Sequence, residues 1–230
     1  MARRAAFTLV ELLVVIAVIG ILAALAMTAA TVARRESQAS QCVSNLRQWC
    51  VALSLYCADN SGYLPRRGQG VQPVFEINRP TDWFNALPPY LGMASFDTMV
   101  QQGNAPQPGA NSIFVCPAAT QGSAGQYFLC YGMNMNLSPW NLSEPAKLVQ
   151  VPNPEFLAFM ADSPGGYAST VPSALPYGVD ARHNGSANVA FLDGHVQAFA
   201  GGYLGCGLGE IEQPDVRWQT NIPGDTWTAP

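Results

Sequence analysis

The feature that most limits the fold of this chain is an uncharged run of 22 residues, Leu12 to Ala33. As a helix rising 1.5 Å per residue the run is about 33 Å long, enough to cross a hydrocarbon core of about 30 Å. Arg3 and Arg4 precede it, and Arg34, Arg35 and Glu36 close it. With basic residues on both flanks, the positive-inside rule gives only a weak orientation. A secretory signal peptide shares the basic start, and Ala24-Leu25-Ala26 supplies a cleavage triplet, but its apolar stretch runs only about 7–15 residues. A plain single-span anchor fits the length. Neither reading accounts for Glu11. An acidic group at the centre of a spanning helix costs about 2.5–3.5 kcal/mol, less towards the interface. An ionisable side chain so placed calls for a named partner.

The string Ala6-Phe7-Thr8-Leu9-Val10-Glu11-Leu12-Leu13, with the basic leader before it and IAVIGILAAL after it, closely resembles the processing site of type IV prepilins and type II secretion pseudopilins. The resemblance implies cleavage by a prepilin peptidase between Ala6 and Phe7 and N-methylation of Phe7. It also implies a Glu11 carboxylate that meets the new amine of a neighbouring subunit. The physical chemistry agrees, because a carboxylate is tolerable in low dielectric when a cation meets it. Two positions depart from the usual pattern: Ala6 stands where Gly is common, and Thr28 where many pilins carry a helix-kinking Pro.

The helical pattern continues past the apolar run. Val43, Leu46, Trp49, Cys50, Leu53, Tyr56 and Cys57 recur at steps of three and four, a stripe suited to packing on a globular domain. Ser40, Ser44, Arg47, Gln48 and Ser54 lie on other faces, and Asp59-Asn60-Ser61-Gly62 ends the helix with turn residues. Counted from Phe7, such a stalk is about 80 Å long. The expected organisation is a leader over 1–6, a transmembrane and assembly helix over 7–33, an amphipathic helix over 34–60 and an exported globular domain over 61–230.

Beyond Gly62 prolines and glycines become frequent, and residues 101–112 (QQGNAPQPGANS) read as an exposed loop. Strands are expected at Ile113–Cys116, Tyr127–Tyr131, Phe156–Ala161, Asn188–Leu192 and Val196–Phe199. The fold class is therefore α+β, a long N-terminal helix packed on a small antiparallel sheet in a pilin-like layout. The tail from Gly201, with Trp218 and Trp227, reads as an extended segment lying on the domain. Asp193-Gly194 between two β-prone runs predicts a two-residue hairpin turn. It would pair Leu192 with His195, Phe191 with Val196 and Val189 with Ala198, with Val189, Phe191, Val196 and Ala198 facing the core.

Charged residues make up 11% of the chain and the net charge is −4. That composition opposes disorder, and without a basic run no nucleic-acid partner is expected. None of the six cysteines forms a C-x-x-C pair, which weakens metal-ribbon and redox-motif readings. Six cysteines allow 15 full pairings. Cys42, Cys50 and Cys57, spaced by 8 and 7 residues on one helix, stand about 10–12 Å apart and cannot bridge one another. They read as small apolar core residues.

His183 precedes Asp193-Gly194 by ten positions within RHNGSANVAFLDGHVQAF. This spacing is similar to a motif in the C-terminal part of a large subgroup of pilin-like proteins. Asn45-Leu-Arg-Gln48, Trp83 to Gly92 (WFNALPPYLG), Phe114-Val-Cys-Pro117 and Tyr131-Gly-Met-Asn134 add to that resemblance. His183, Asp193 and His195, with Asp162, are the one constellation suggestive of a site. Carboxylates and imidazoles suit divalent ions. Yet a five-residue strand of about 17 Å separates His183 from Asp193, so the two meet only if residues 183–187 fold back. Turn and capping roles are favoured over metal binding, and metal binding over catalysis, since no nucleophile–base spacing accompanies them.

The expected function is a structural, non-enzymatic filament subunit, with no catalytic residue, cofactor or metal ligand assigned. Its partners would be itself or other pilin-like subunits, the prepilin peptidase, the inner-membrane assembly machinery and the membrane. It would sit as a single-pass inner-membrane protein with its domain exported, then enter a periplasmic or cell-surface filament. The rival reading is a monomeric membrane-anchored extracytoplasmic binding or metal module built on Asp162, His183 and Asp193.

Overall fold

The structure, a computed structural model, describes residues 9–68, 79–119, 129–138, 145–173, 175, 177–209 and 212–219. The leader, Ala6 and Phe7 lie outside the described residues, as does Trp227.

Helix α1 runs from Leu9 to Asp59. Two compact units divide it, Met1–Gln38 and Ala39–Pro230. In the first, the apolar side chains of α1 are exposed, from 44% at Val15 to 78% at Leu9. This helix is long and apolar enough to cross a membrane. It passes Thr28 without interruption; the Thr28 hydroxyl donates to the Leu25 carbonyl at 2.8 Å, and the Thr31 hydroxyl to the Thr28 carbonyl at 2.8 Å. With no proline at 28, every backbone N–H there remains available to the helix.

In the second unit α1 turns one stripe inward: Cys42, Asn45, Leu46, Trp49, Cys50, Ala52, Leu53 and Cys57 are buried. Of the seam predicted from spacing, Leu46, Trp49, Cys50, Leu53 and Cys57 are buried and Val43 and Tyr56 half-buried, while Cys42, Asn45 and Ala52 join it. Short helices α2 (Trp83–Ala86) and α3 (Phe96–Gln101) follow, the latter capped by Ser95, whose side chain accepts from the Thr98 N–H. Trp49, Trp83, Phe84, Phe96 and Phe114 form one chain of edge-on and tilted ring contacts, with centroids 5.0–5.9 Å apart.

The sheet contains β1 (Tyr131–Asn134), β2 (Ala158–Asp162), β3 (Ser169–Thr170), β4 (Ser186–Phe191) and β5 (Val196–Ala200), in the order β3-β1-β2-β4-β5. Three of its pairings are antiparallel, and β1–β3 is parallel. The expected α+β layout holds, with a parallel pair added at one edge. Its α1 side meets Met133, Met160, Ala190 and Leu192. The opposite side carries a second cluster of Ala187, Val189, Phe191, Phe199 and Trp218. Helical turn α4 (Gly201–Leu204) follows β5. Beyond it the described residues 212–219 lie on the domain, with Trp218 fully buried and its carbonyl accepting from the side-chain amides of Asn134 and Asn136.

Three local expectations are corrected. Ile113–Cys116 is a turn segment, not a strand. Side chains of α1 meet two of its carbonyls, Trp49 Nε1 donating to Ile113 and Asn45 Nδ2 to Val115, while the Cys130 and Ala119 N–H groups meet those of Phe114 and Cys116. The strand expected over 127–131 begins only at Tyr131, and residues 127–128 lie outside the described residues. The β4–β5 hairpin is offset by one residue, pairing Ala190 with Val196 and Val189 with Gln197. Its loop holds Leu192, Asp193 and Gly194, closed by the Gly194 N–H on the Phe191 carbonyl at 3.0 Å. Gly194 has φ +98°, the left-handed position of a three-residue loop. The offset moves Val196 to the α1 side, away from Phe191.

Candidate functional site

Glu11 occupies the first turn of α1, in its exposed apolar stretch. Asp162, His183, Asp193 and His195 belong to the domain, where they form two separate groups.

The first group is built from four segments. Asp162 ends β2 and is fully buried. Its Oδ2 accepts from the backbone N–H of Asn188 at 2.8 Å and from Asn188 Nδ2 at 3.1 Å, as the β2–β4 register dictates. Its Oδ1 is buried with no hydrogen-bond partner. His183 reaches it because Asn184 (φ +54°) and Gly185 (φ +81°) reverse the chain. His183 and Ser186 exchange both backbone hydrogen bonds, at 2.9 and 3.0 Å, so Asn-Gly forms a two-residue turn with both φ positive, for which this pair is the preferred sequence. Residues 183–187 thus do fold back. The imidazole Nε2 stands 3.4 Å from Asp162 Oδ2 and 3.4 Å from Cys116 Sγ.

Cys116 is disulfide-bonded to Cys42, with Cα atoms 5.3 Å apart. This pair was not distinguishable among the 15 possible pairings. It belongs to a seam in which Cys42, Asn45 and Trp49, on successive turns of α1, hold Cys116, Val115 and Ile113 in reverse order. Asn45 Nδ2 also donates to the Tyr131 hydroxyl at 3.2 Å. Burial, then nearby Asp162, raise the Tyr131 phenol well above its usual range. Arg182 lies beside the cluster, bonded to the Ser163 carbonyl and paired with Asp180 at 3.1 Å. Burial opposes its charge, but Asp162 and Asp180 outweigh burial and raise its pKa. The reading of Cys42 as a small apolar core residue is corrected to half of a bridge, and sequence reasoning gave no site role to Cys116 or Arg182. An even cysteine count was the only hint of the bridge.

Asp193 is not part of this group. It lies past the far end of β4, which over Ser186–Phe191 covers about 17 Å. There its Oδ1 meets His195 Nδ1 at 2.6 Å and accepts from the His195 N–H at 3.1 Å, and the imidazole stacks on Phe191 with centroids 4.2 Å apart. The loop tip rests against α1, with Cys50 Sγ 3.8 Å from the Phe191 carbonyl. Burial and the Asp193 charge push the Cys50 thiol up to about 12. The expected Asp162/His183/Asp193 constellation is therefore corrected to two pairs, Asp162–His183 and Asp193–His195, with a strand between them.

Among the described residues, one group of potential metal-ligating side chains has its donor atoms within 4.8 Å of one another: Cys42, Cys116, Asp162 and His183.

Residues 1–27 match the family described as the prokaryotic N-terminal methylation motif. The match spans the amino-terminal segment alone and supports a pilin-type subunit processed by prepilin peptidase. No curated protein and no solved structure matches the chain.

Proposed function

We propose that the chain is a structural subunit of a type IV pilus-like or type II secretion pseudopilus filament. The observation that carries this reading is the methylation motif over residues 1–27, joined to a helix whose apolar half is exposed along its length. An apolar surface of that extent suits lipid before assembly and neighbouring helices after it. Processing cuts between Ala6 and Phe7 and methylates the Phe7 amine. Glu11 then meets the amine of the adjacent subunit, which offsets the cost of a carboxylate in low dielectric. The domain is exported from the inner membrane and carried on the filament surface.

The mature N-terminus, read by mass spectrometry of protein from the native host, tests the processing step. The expected species begins with N-methyl-Phe7; an intact Met1 or a start at Met27 would sink the reading. Glu11→Ala tests assembly: filaments are lost while the chain stays in the membrane fraction. Unchanged filament yield in that variant would remove the role given to Glu11.

A further inference from the structure

We propose that Cys42, Cys116, Asp162 and His183 form a binding site for a zinc-class divalent ion when the two cysteines are thiols. This corner of the domain is then closed in one of two ways, by the disulfide or by the ion. The inference is independent of the filament reading.

The geometry supplies the first support. A tetrahedron with metal–ligand bonds of 2.0–2.3 Å has edges of about 3.3–3.8 Å. His183 Nε2 stands 3.4 Å from both Cys116 Sγ and Asp162 Oδ2, so two edges already have that length. The Cα separation of 5.3 Å between Cys42 and Cys116 leaves their sulfurs free to part by side-chain rotation once the bond is broken. Two sulfurs, an imidazole and a carboxylate suit zinc better than magnesium or calcium, which prefer oxygen alone.

The second support is the carboxylate. Asp162 is fully buried, and Oδ2 takes both Asn188 bonds while Oδ1 has no hydrogen-bond partner. A buried carboxylate with one oxygen unmet is short of positive partners. A cation between Asp162 and His183 would face Oδ2, 3.4 Å from His183 Nε2, and neutralise the carboxylate. The Asn188 bonds would hold the carboxylate in place, as outer partners do for ligating groups.

Charge is the third support. Two thiolates and one carboxylate exceed a divalent ion by one negative charge. Buried Arg182 stands beside the site and is paired with Asp180 at 3.1 Å, so its positive charge is shared between Asp180 and the site.

The interconversion balances. A dithiol reductant gives up two electrons and two protons and closes to its own disulfide. The Cys42–Cys116 bond breaks, and each sulfur gains one hydrogen. Ion binding then releases both thiol protons to solvent, and each thiolate donates an electron pair to the metal.

The test uses the full chain in detergent, reduced without oxygen and freed of reductant, then titrated with Co2+ and back-titrated with Zn2+. Reduced protein is expected to bind one Co2+ per chain with thiolate charge-transfer and tetrahedral d–d absorption, which Zn2+ abolishes. Oxidised protein gives neither signal. Cys116→Ser removes the charge-transfer band in proportion, and His183→Gln weakens binding at least about tenfold, since even outer partners of ligands are worth that much. Cys130→Ser leaves binding unchanged. A second measurement uses the wild type and needs no substitution. Zn2+ should protect Cys42 and Cys116, but not Cys206, from alkylation of the reduced chain, as read by peptide mass spectrometry. No absorption from reduced protein, binding indifferent to His183→Gln, or equal alkylation with and without Zn2+ would each overturn the proposal.

Discussion

Asn184 and Gly185 decide where His183 sits. Both hold positive φ, at +54° and +81°, a conformation that costs an ordinary L-residue about 1–2 kcal/mol. Gly185→Ala is accordingly expected to lower stability by about 1 kcal/mol, seen as a lower melting temperature, with no steric clash to add to it because the new Cβ meets open space. Asn184-Gly185 is a strong tight-turn signal that sequence reasoning passed over, assigning the two-residue turn to Asp193-Gly194 instead. Both dipeptides are strong turn formers. Only the partner strand tells a two-residue loop from one lengthened by a left-handed glycine, as at Gly194. Asp82 is a residue of a different kind. It is fully buried beside Arg79 at 3.2 Å, and burial, partly opposed by Arg79, moves its carboxyl up from 3.8 to about 6. The unfolded chain ionises Asp82 near its ordinary value and the folded chain only near the raised one. The folded state therefore loses stability from this group as pH rises through that window. Asp82→Asn should flatten the change in unfolding free energy between about pH 4 and 6 relative to wild type, a comparison made by denaturant titration at several pH values. A variant with the wild-type slope would show that another carboxylate carries it.

Among the elements, α1 has two sharply different halves, and the boundary is chemical. Up to Val32 its apolar residues face outward, while from Cys42 its apolar stripe is closed by the domain. The stripe was readable from its three- and four-residue steps because helix periodicity depends only on neighbours in the chain. Segment 113–116 was read as a strand for the same local reason, an apolar β-prone run. Its true partners, Trp49 and Asn45, lie 64 and 70 positions away, and no local pattern reports them. Trp49 carries most of that seam: it is fully buried, contacts the rings of Trp83 and Phe114 and donates to the Ile113 carbonyl. Trp49→Ala should cost about 3–5 kcal/mol, measured by guanidinium unfolding in detergent. Replacing Cys42 and Cys116 together by Ser releases a cross-link across 74 residues and should cost about 2–4 kcal/mol. Adding reductant to the wild type without metal should reproduce that loss.

For the molecule as a whole, the compact unit beginning at Ala39 contains both core clusters, the sheet and the disulfide. A chain lacking residues 1–38 is expected to remain dispersed without detergent and to keep a cooperative melt; broad unfolding would mean that the apolar half contributes to the domain's cohesion. The broad layout could be read from the chain because an uncharged run and a helical stripe are one-dimensional patterns. The cluster at Asp162 could not, because it gathers residues from positions 42, 116, 162 and 183, and only the strand pairing and the disulfide bring them together.

The position of the Cys42–Cys116 bond has a mechanical consequence. It is the outermost tie between α1 and the rest of the domain in a seam that continues through Asn45 to Trp49. A pull applied to the helix from its N-terminal side loads this covalent tie before the hydrogen bonds behind it. The helix then cannot peel away one turn at a time, and the bonds behind the tie rupture only in shear, together. Stretched singly in an optical trap, the oxidised domain should yield at a higher force than the reduced one, and in a single step.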